Sequence, residues 1–202
     1  MAKLYFKYGV MGSSKTANAL MTAFNYREKG YKVLLMKPSV DTRDDAYDER
    51  GNRVSKIRSR IGLESTAGVI RADEKFMDLL EAHEAYEKID VIIVDEAQFL
   101  QPSQVDELQY IAVFKDIPVL CFGLRTDFQS NFFPGSRRLM ELAASLQEIK
   151  HVCSCGRKAE VNAKVDSATG KIITEGEQID IGGDEKYESM CWKCWQERIH
   201  NQ

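Results

Sequence analysis

A lysine followed by a hydroxyl residue closes a short loop rich in glycine and serine, Gly9-Val10-Met11-Gly12-Ser13-Ser14-Lys15-Thr16. The loop follows an alternating apolar run, Leu4, Phe6 and Tyr8, so it reads as the junction between a β-strand and a helix. Backbone N–H groups at such a junction curl around phosphate oxygens. The lysine brings a mobile positive charge to the terminal phosphates, and the hydroxyl is offered to magnesium. Against the pattern G-x-x-x-x-G-K-S/T, Gly9, Lys15 and Thr16 fit, Ser14 takes the place of the second glycine, and Gly12 is an extra one. A serine there sets a side chain beside the β-phosphate, which is tolerable if the residue is already helical. The plainer alternative is a turn that caps an ordinary helix, with Lys15 solvated on its first turn.

A second cluster stands far along the chain. Asp90-Val91-Ile92-Ile93-Val94-Asp95-Glu96-Ala97-Gln98-Phe99 is a β-branched apolar run that ends in two carboxylates. That is the pattern of a buried parallel strand with acids at its carboxyl end, the end where open α/β sheets bind ligands. Asp95 is placed to hold magnesium, directly or through water, and Glu96 to take a proton from an attacking hydroxyl or water. A charged surface turn is the alternative for this segment alone, but the two motifs support each other. The nucleotide-binding set is then Gly9, Val10, Met11, Gly12, Ser13, Ser14, Lys15 and Thr16 with Asp95, Glu96, Ala97 and Gln98.

Four of the five cysteines form two close pairs, Cys153-Ser154-Cys155 and Cys191-Trp192-Lys193-Cys194, separated by a hairpin-like stretch containing Ala168-Thr169-Gly170. Thiolates so spaced complete a tetrahedral zinc site that ties together the two ends of a small β-rich module. A disulfide is the weaker explanation in a reducing compartment, and redox catalysis would need only one pair. Cys121 lies inside an apolar strand and reads as a small core residue. His83, His151 and His200 show no metal-like grouping, His151 being a spare candidate near the cysteines.

These clusters need a scaffold that brings them together. The chain has 202 residues, 44% hydrophobic and 29% charged, with a net charge of −3, enough for one good-sized core and a small appendage. No apolar stretch is long enough to cross a bilayer, and the start Met1-Ala2-Lys3-Leu4 lacks the apolar region of a secretory signal, so a cytoplasmic protein is expected. The acidic balance offers no bulk attraction to nucleic acid, and neither a nucleic-acid nor a membrane partner is implied. Strand-like runs alternate with helical stretches, which argues for an α/β domain over residues 1–150 with a mainly parallel sheet, followed by a zinc-binding module over 151–202. A first helix is expected from Thr16 to about Lys29, a strand from Lys32 to Lys37, and a helix capped by Asp73 that runs to about Lys88. Another helix is expected at a Ser103 cap, and a further strand from Ile117 to Gly123. The charged stretch from Asp41 to about Ser65, broken by Gly51 and Gly62, reads as a long mobile connection.

The order of these motifs resembles that of the thymidine kinase family, the type with a RecA-like phosphate-binding-loop core and a zinc-held lid. The resemblance rests on the loop ending Ser14-Lys15-Thr16, the tripeptide Asp41-Thr42-Arg43, the run Asp95 to Phe99, and Phe122-Gly123-Leu124 with Phe128-Gln129. It extends to the tail Glu177 to Gly183 with Tyr187 and the paired cysteines, and so covers essentially the whole chain. It implies transfer of the γ-phosphoryl group of ATP to the 5′-hydroxyl of thymidine or deoxyuridine, with Glu96 as the base and Arg43 as an added guanidinium near the phosphates. Gln98 is implied either at magnesium-linked water or at the sugar, and a helix-start hydrogen bond would account for it equally. Met11, Phe99, Leu124, Phe128 and Phe133 are implied as apolar walls for the base, with Gln178, Ile179, Asp180, Ile181 and Gly182 and the ring of Tyr187 closing over it. A homotetramer and feedback inhibition by thymidine triphosphate are implied as well.

Two other readings share parts of the pattern. An ATP-driven nucleic-acid motor can carry an Asp-Glu-Ala-Gln run after an apolar strand, but it generally needs a second nucleotide-binding-type domain. A non-catalytic nucleotide sensor would keep Lys15 and have no need of Glu96.

Overall fold

The computed structural model describes residues 1–39, 46–85, 87–178 and 187–202. In chain order the first elements are β1 (Leu4–Tyr8), α1 (Lys15–Glu28), β2 (Val33–Pro38), β3 (Ala46–Tyr47), β4 (Arg53–Arg58), β5 (Glu64–Ile70) and α2 (Phe76–Glu84). Then come β6 (Val91–Val94), a single 3-10 turn (Ala97–Phe99), α3 (Pro102–Phe114), β7 (Val119–Gly123), α4 (Pro134–Leu142) and β8 (Ser145–Glu148). The chain ends in β9 (Val161–Val165), β10 (Ile172–Ile173), β11 (Tyr187–Met190) and α5 (Trp192–His200).

The expected α/β architecture is present. Among the described residues the strands β3-β4-β5-β2-β6-β7-β1-β8 form one sheet in that order, parallel from β5 to β8. Every residue of β6 and β7 is buried, because helices cover both faces of the sheet and neither face can be polar. Alternation divides the strands between two cores. Ile92 and Val94 pack with Phe76, Leu108 and Leu139 under α2, α3 and α4, whereas Val91 and Ile93 pack with Ala19, Leu20 and Phe122 under α1. Each large side chain so buried contributes about 1.5–3 kcal/mol. The register sets Tyr8 beside Gly123 and Val94 beside Cys121. The loops that leave the carboxyl ends of β1, β6 and β7 therefore emerge next to one another.

The stretch from Asp41 to Ser65 departs from expectation. Residues 40–45 lie outside the described residues, but the rest is not a long connection: β3, β4 and β5 pair antiparallel and extend the sheet edge. Gly51 and Gly62 are turn residues, at φ 79° and 83°, where glycine adopts a left-handed backbone freely. Two helix starts also differ. α2 begins after Lys75 rather than at an Asp73 cap. α3 begins at Pro102, where the Gln104 side chain accepts the Gln101 N–H at 3.0 Å, and Ser103 lies inside the helix.

A second sheet, β10-β9-β11, is antiparallel. β9 and β10 form the hairpin expected around Thr169, and Val161, Ala163, Ile172 and Trp195 make its core. No described helix is long and apolar enough to cross a membrane.

Candidate active site

The loop after β1 is tightly wound. A Cβ on Gly9 would stand 2.4 Å from Ser13 Oγ and 2.5 Å from the Ile149 carbonyl, so no side chain fits at the first glycine of the motif. Gly12 turns the chain at φ 76°. Ser14 is the residue before α1 and sits at φ 62°, ψ 27°, a left-handed conformation. The condition under which its side chain would be tolerated, a helical backbone, is therefore not met, and the serine occupies the backbone region that glycine enters without cost. Ser14→Gly is therefore expected to raise unfolding stability by roughly 0.5–1 kcal/mol, as relief of strain outweighs the added freedom of the unfolded chain. Denaturant titration reads this, and a loss of stability would show that the hydroxyl does something the strain argument omits.

Lys15 is buried and donates from Nζ to the Val10 carbonyl at 2.7 Å. The next residue, Thr16, stands by the acidic pair, where its hydroxyl favours the charged form of Asp95. Burial pushes the Asp95 carboxyl up to about 7 and the neighbouring Glu96 charge adds to this, opposed by Thr16, a backbone N–H and Lys15. A hydroxyl beside a buried carboxylate, with a second carboxylate next to it, is a donor set suited to a hard divalent cation.

Glu96 is half-buried in a left-handed conformation, φ 53°, ψ 34°, the kind of backbone strain that clusters at functional sites. Its carboxylate accepts Gln98 Nε2 at 2.5 Å, and Gln98 Oε1 accepts the Leu124 N–H at 3.0 Å. Gln98 is 1% exposed, and a Cβ at Gly123 would come within 2.7 Å of its Oε1. Gln98 thus ties the Glu96 side chain to the end of β7.

Gly12, Lys15, Thr16, Glu96 and Leu124 line one cleft of about 160 Å³. Its further wall is the tip of the β4–β5 hairpin, Arg58 to Ile61. The turn is held by Gly62 N–H to the Ser59 carbonyl at 3.1 Å and Leu63 N–H to Ser59 Oγ at 3.0 Å. The Arg60 guanidinium and the His151 ring flank Gly12, 3.5 and 3.4 Å from where a Cβ would sit. Sequence reasoning missed Arg58 and Arg60 at this site, and a hairpin reading of residues 53–70 would have found them. His151 faces the loop and is not in the cysteine group.

Among the residues expected as apolar walls, Phe99 and Phe133 meet edge to face with centroids 5.6 Å apart. Phe128 and Phe133 are buried, the former with the Lys164 ammonium 5.1 Å from its ring centroid. Met11 and Leu124 border the cleft. Gln178 Nε2 donates to Asp127 Oδ2 at 2.8 Å and to the Phe132 carbonyl at 3.2 Å. Tyr187 opens β11, opposite Lys164. Arg43, Ile179, Asp180, Ile181 and Gly182 lie outside the described residues.

The sulfur atoms of Cys153, Cys155, Cys191 and Cys194 all lie within 4.8 Å of one another, and Cys155 and Cys191 are 3.6 Å apart. Zinc–sulfur bonds of about 2.3 Å in a tetrahedron require edges of about 3.8 Å, so the four thiols fit the ion. Hydrogen bonds from the Cys155 and Cys191 backbone hold the Cys153 thiol down at about 6. Cys194 is pushed up to about 12, chiefly by the Cys155 and Cys191 thiols. Cys121 is wholly buried in β7, and burial pushes its thiol up, consistent with an inert core residue.

A family model described as thymidine kinase matches residues 2–195. A thymidine kinase from Shewanella oneidensis is 43% identical over 199 residues, covering 98% of this chain and 99% of that protein. One from Zymomonas mobilis subsp. mobilis is 42% identical over 201 residues, covering 100% of each. The thymidine kinase of Enterobacteria phage T4 is 42% identical over 197 residues, covering 98% of this chain and 97% of that protein. With a match of this extent laid over a phosphate loop, an acidic pair and a four-cysteine cluster, the chain belongs to the thymidine kinase family.

Proposed function

We propose that the protein transfers the γ-phosphoryl group of ATP to the 5′-hydroxyl of thymidine, and of deoxyuridine, giving the nucleoside monophosphate and ADP. The observation that carries this reading is the single cleft lined by Gly12, Lys15 and Thr16 of the phosphate loop together with Glu96 of the acidic pair. Backbone N–H groups of residues 9–16 hold the phosphates, and Lys15 leaves the Val10 carbonyl to reach the terminal phosphate oxygens. Thr16 and Asp95 hold magnesium, which neutralises charge on the transferring group when bound. Glu96 accepts the proton of the 5′-hydroxyl, and Gln98 aims its carboxylate. Arg43 adds a guanidinium beside the phosphates.

In the same reading Met11, Phe99, Leu124, Phe128 and Phe133 wall the base, while residues 178–182 and Tyr187 close over it and exclude water that would compete as phosphoryl acceptor. Residues 1–150 form the nucleotide-binding unit, and residues 151–202, held by zinc, form the lid. A homotetramer, inhibition by thymidine triphosphate and a cytoplasmic location complete the reading.

The test is ADP release in the presence of ATP and magnesium with either thymidine or single-stranded DNA. Release that depends on thymidine, with one thymidine monophosphate formed per ADP, is the expected result. Release stimulated by DNA, or release with neither, would overturn the kinase reading.

A further inference from the structure

Met11 stands in the middle of the phosphate loop, and side chains of the second sheet hold both of its peptide groups. Its N–H donates to Asn162 Oδ1 at 2.7 Å, and its carbonyl accepts the Ser189 hydroxyl. Asn162 lies on β9 and Ser189 directly opposite it on β11, so two adjacent strands grip a single loop residue. The other end of the Asn162 amide donates from Nδ2 to the Thr126 carbonyl at 2.9 Å, just past the end of β7. Next to Met11, the Val10 side chain is buried among Cys153, Val161 and Trp195 in the core of the zinc module. The Val10 carbonyl is the one on which the Lys15 ammonium rests. The first limb of the loop is thus packed as part of the small module.

Asn162 is 3% exposed in a strand whose five residues are all buried. A polar side chain there is costly unless both of its ends are satisfied. Asparagine satisfies both, because one planar amide offers an acceptor to the Met11 N–H and a donor to the Thr126 carbonyl. A valine or alanine would leave the Thr126 carbonyl buried without this partner and the partly buried Met11 N–H without its own.

We infer that Asn162 is a positioning residue of the phosphate loop, through which the zinc module sets the affinity for ATP. It fixes the Met11 peptide, and the neighbouring N–H groups then face the phosphates before the nucleotide arrives. Coupling of this kind is reciprocal: if the module favours the loop conformation that takes ATP, ATP must stabilise the module to the same extent. The inference rests on the reading that this loop takes ATP.

The experiment uses the zinc-loaded full chain, titrated calorimetrically with a non-hydrolysable ATP analogue and magnesium in the absence of nucleoside. Asn162→Ala is expected to weaken analogue binding by about tenfold, with zinc content and binding stoichiometry as in the wild type. The analogue is expected to slow zinc release to a chelator in the wild type and not in the variant. A merely structural role would lower the melting temperature without changing the affinity of the folded fraction or abolishing this protection. Should Asn162→Ala fail to fold, Ser189→Ala removes the other hold on Met11 and is expected to weaken binding by about threefold. A folded variant that binds the analogue as tightly as the wild type overturns the inference alone. A wild-type protein that does not bind the analogue overturns the nucleotide reading and this inference with it.

Discussion

Glu96→Gln is expected to lower kcat by about 10²–10⁴-fold, the range associated with a positioned general base, while KM for ATP and for thymidine stays near the wild-type value. The two side chains have the same shape, so the left-handed backbone at φ 53° and the contact with Gln98 Nε2 at 2.5 Å both have a counterpart in the variant. What disappears is a carboxylate able to accept a proton as the new oxygen–phosphorus bond forms. An interaction made only in the transition state lowers kcat and kcat/KM together and leaves ground-state binding alone. Steady-state kinetics with each substrate varied in turn separates the cases. A variant that keeps kcat within a few-fold of the wild type would remove Glu96 from the role of base. A rise in KM alone would make it a binding residue.

The parts of this site that could be read from the sequence are those whose chemistry is local. Lys15 and Thr16 follow a strand and open a helix, and that context is visible in the alternation of Leu4, Phe6 and Tyr8. Asp95 and Glu96 end an unbroken apolar run, which can only be a buried strand or a buried helix segment, and its short length favours the strand. The hairpin over residues 53–70 was hidden for a physical reason. The inward positions of β4 are held by Ser55 as well as Ile57, so the period of two is masked, and Gly51 and Gly62 read as breaks although they are the turns that make the hairpin. Missing the hairpin also hid Arg58 and Arg60 at its tip. Gln98 and Asn162 could not be found from spacing at all. Their roles come from the tertiary approach of β7 and β9, residues distant in sequence, and nothing near either amide in the chain signals it. The same holds for the helix starts, where the pairing of Gln101 with Gln104 displaced the better-known capping residue Ser103.

Removal of zinc, or Cys191→Ser, is expected to melt the small module while the large sheet stays folded. Cys191 joins β11 to α5. It is buried, and its sulfur accepts the Cys194 N–H at 3.5 Å as the helix begins. The first pair is shaped to meet it, the Gly156 N–H closing on the Cys153 carbonyl at 2.8 Å and the Cys153 N–H on the Arg157 carbonyl at 2.7 Å. The apolar core that these ends enclose is small, with Val161, Ala163, Ile172 and Trp195 at its centre. A core of that size supplies little stability beyond the cost of ordering its chain, whereas a structural zinc ion contributes on the order of 10 kcal/mol to the fold it closes. The chain's two tryptophans, Trp192 and Trp195, both lie in α5 with ring centroids 4.9 Å apart, so tryptophan fluorescence, excited at the red edge where the chain's tyrosines do not absorb, reports on this module. On chelation, and in Cys191→Ser, the emission is expected to shift to the red while the far-ultraviolet circular dichroism keeps the greater part of its amplitude, because the cores under α1 and under α2, α3 and α4 do not depend on the metal. Phosphoryl transfer is expected to fall in parallel, since loss of β11 frees Ser189 from Met11 and disorder in β9 removes the Asn162 contact. If Cys191→Ser retained one zinc per chain and a wild-type emission maximum, the four-thiolate site would not be what holds this module together.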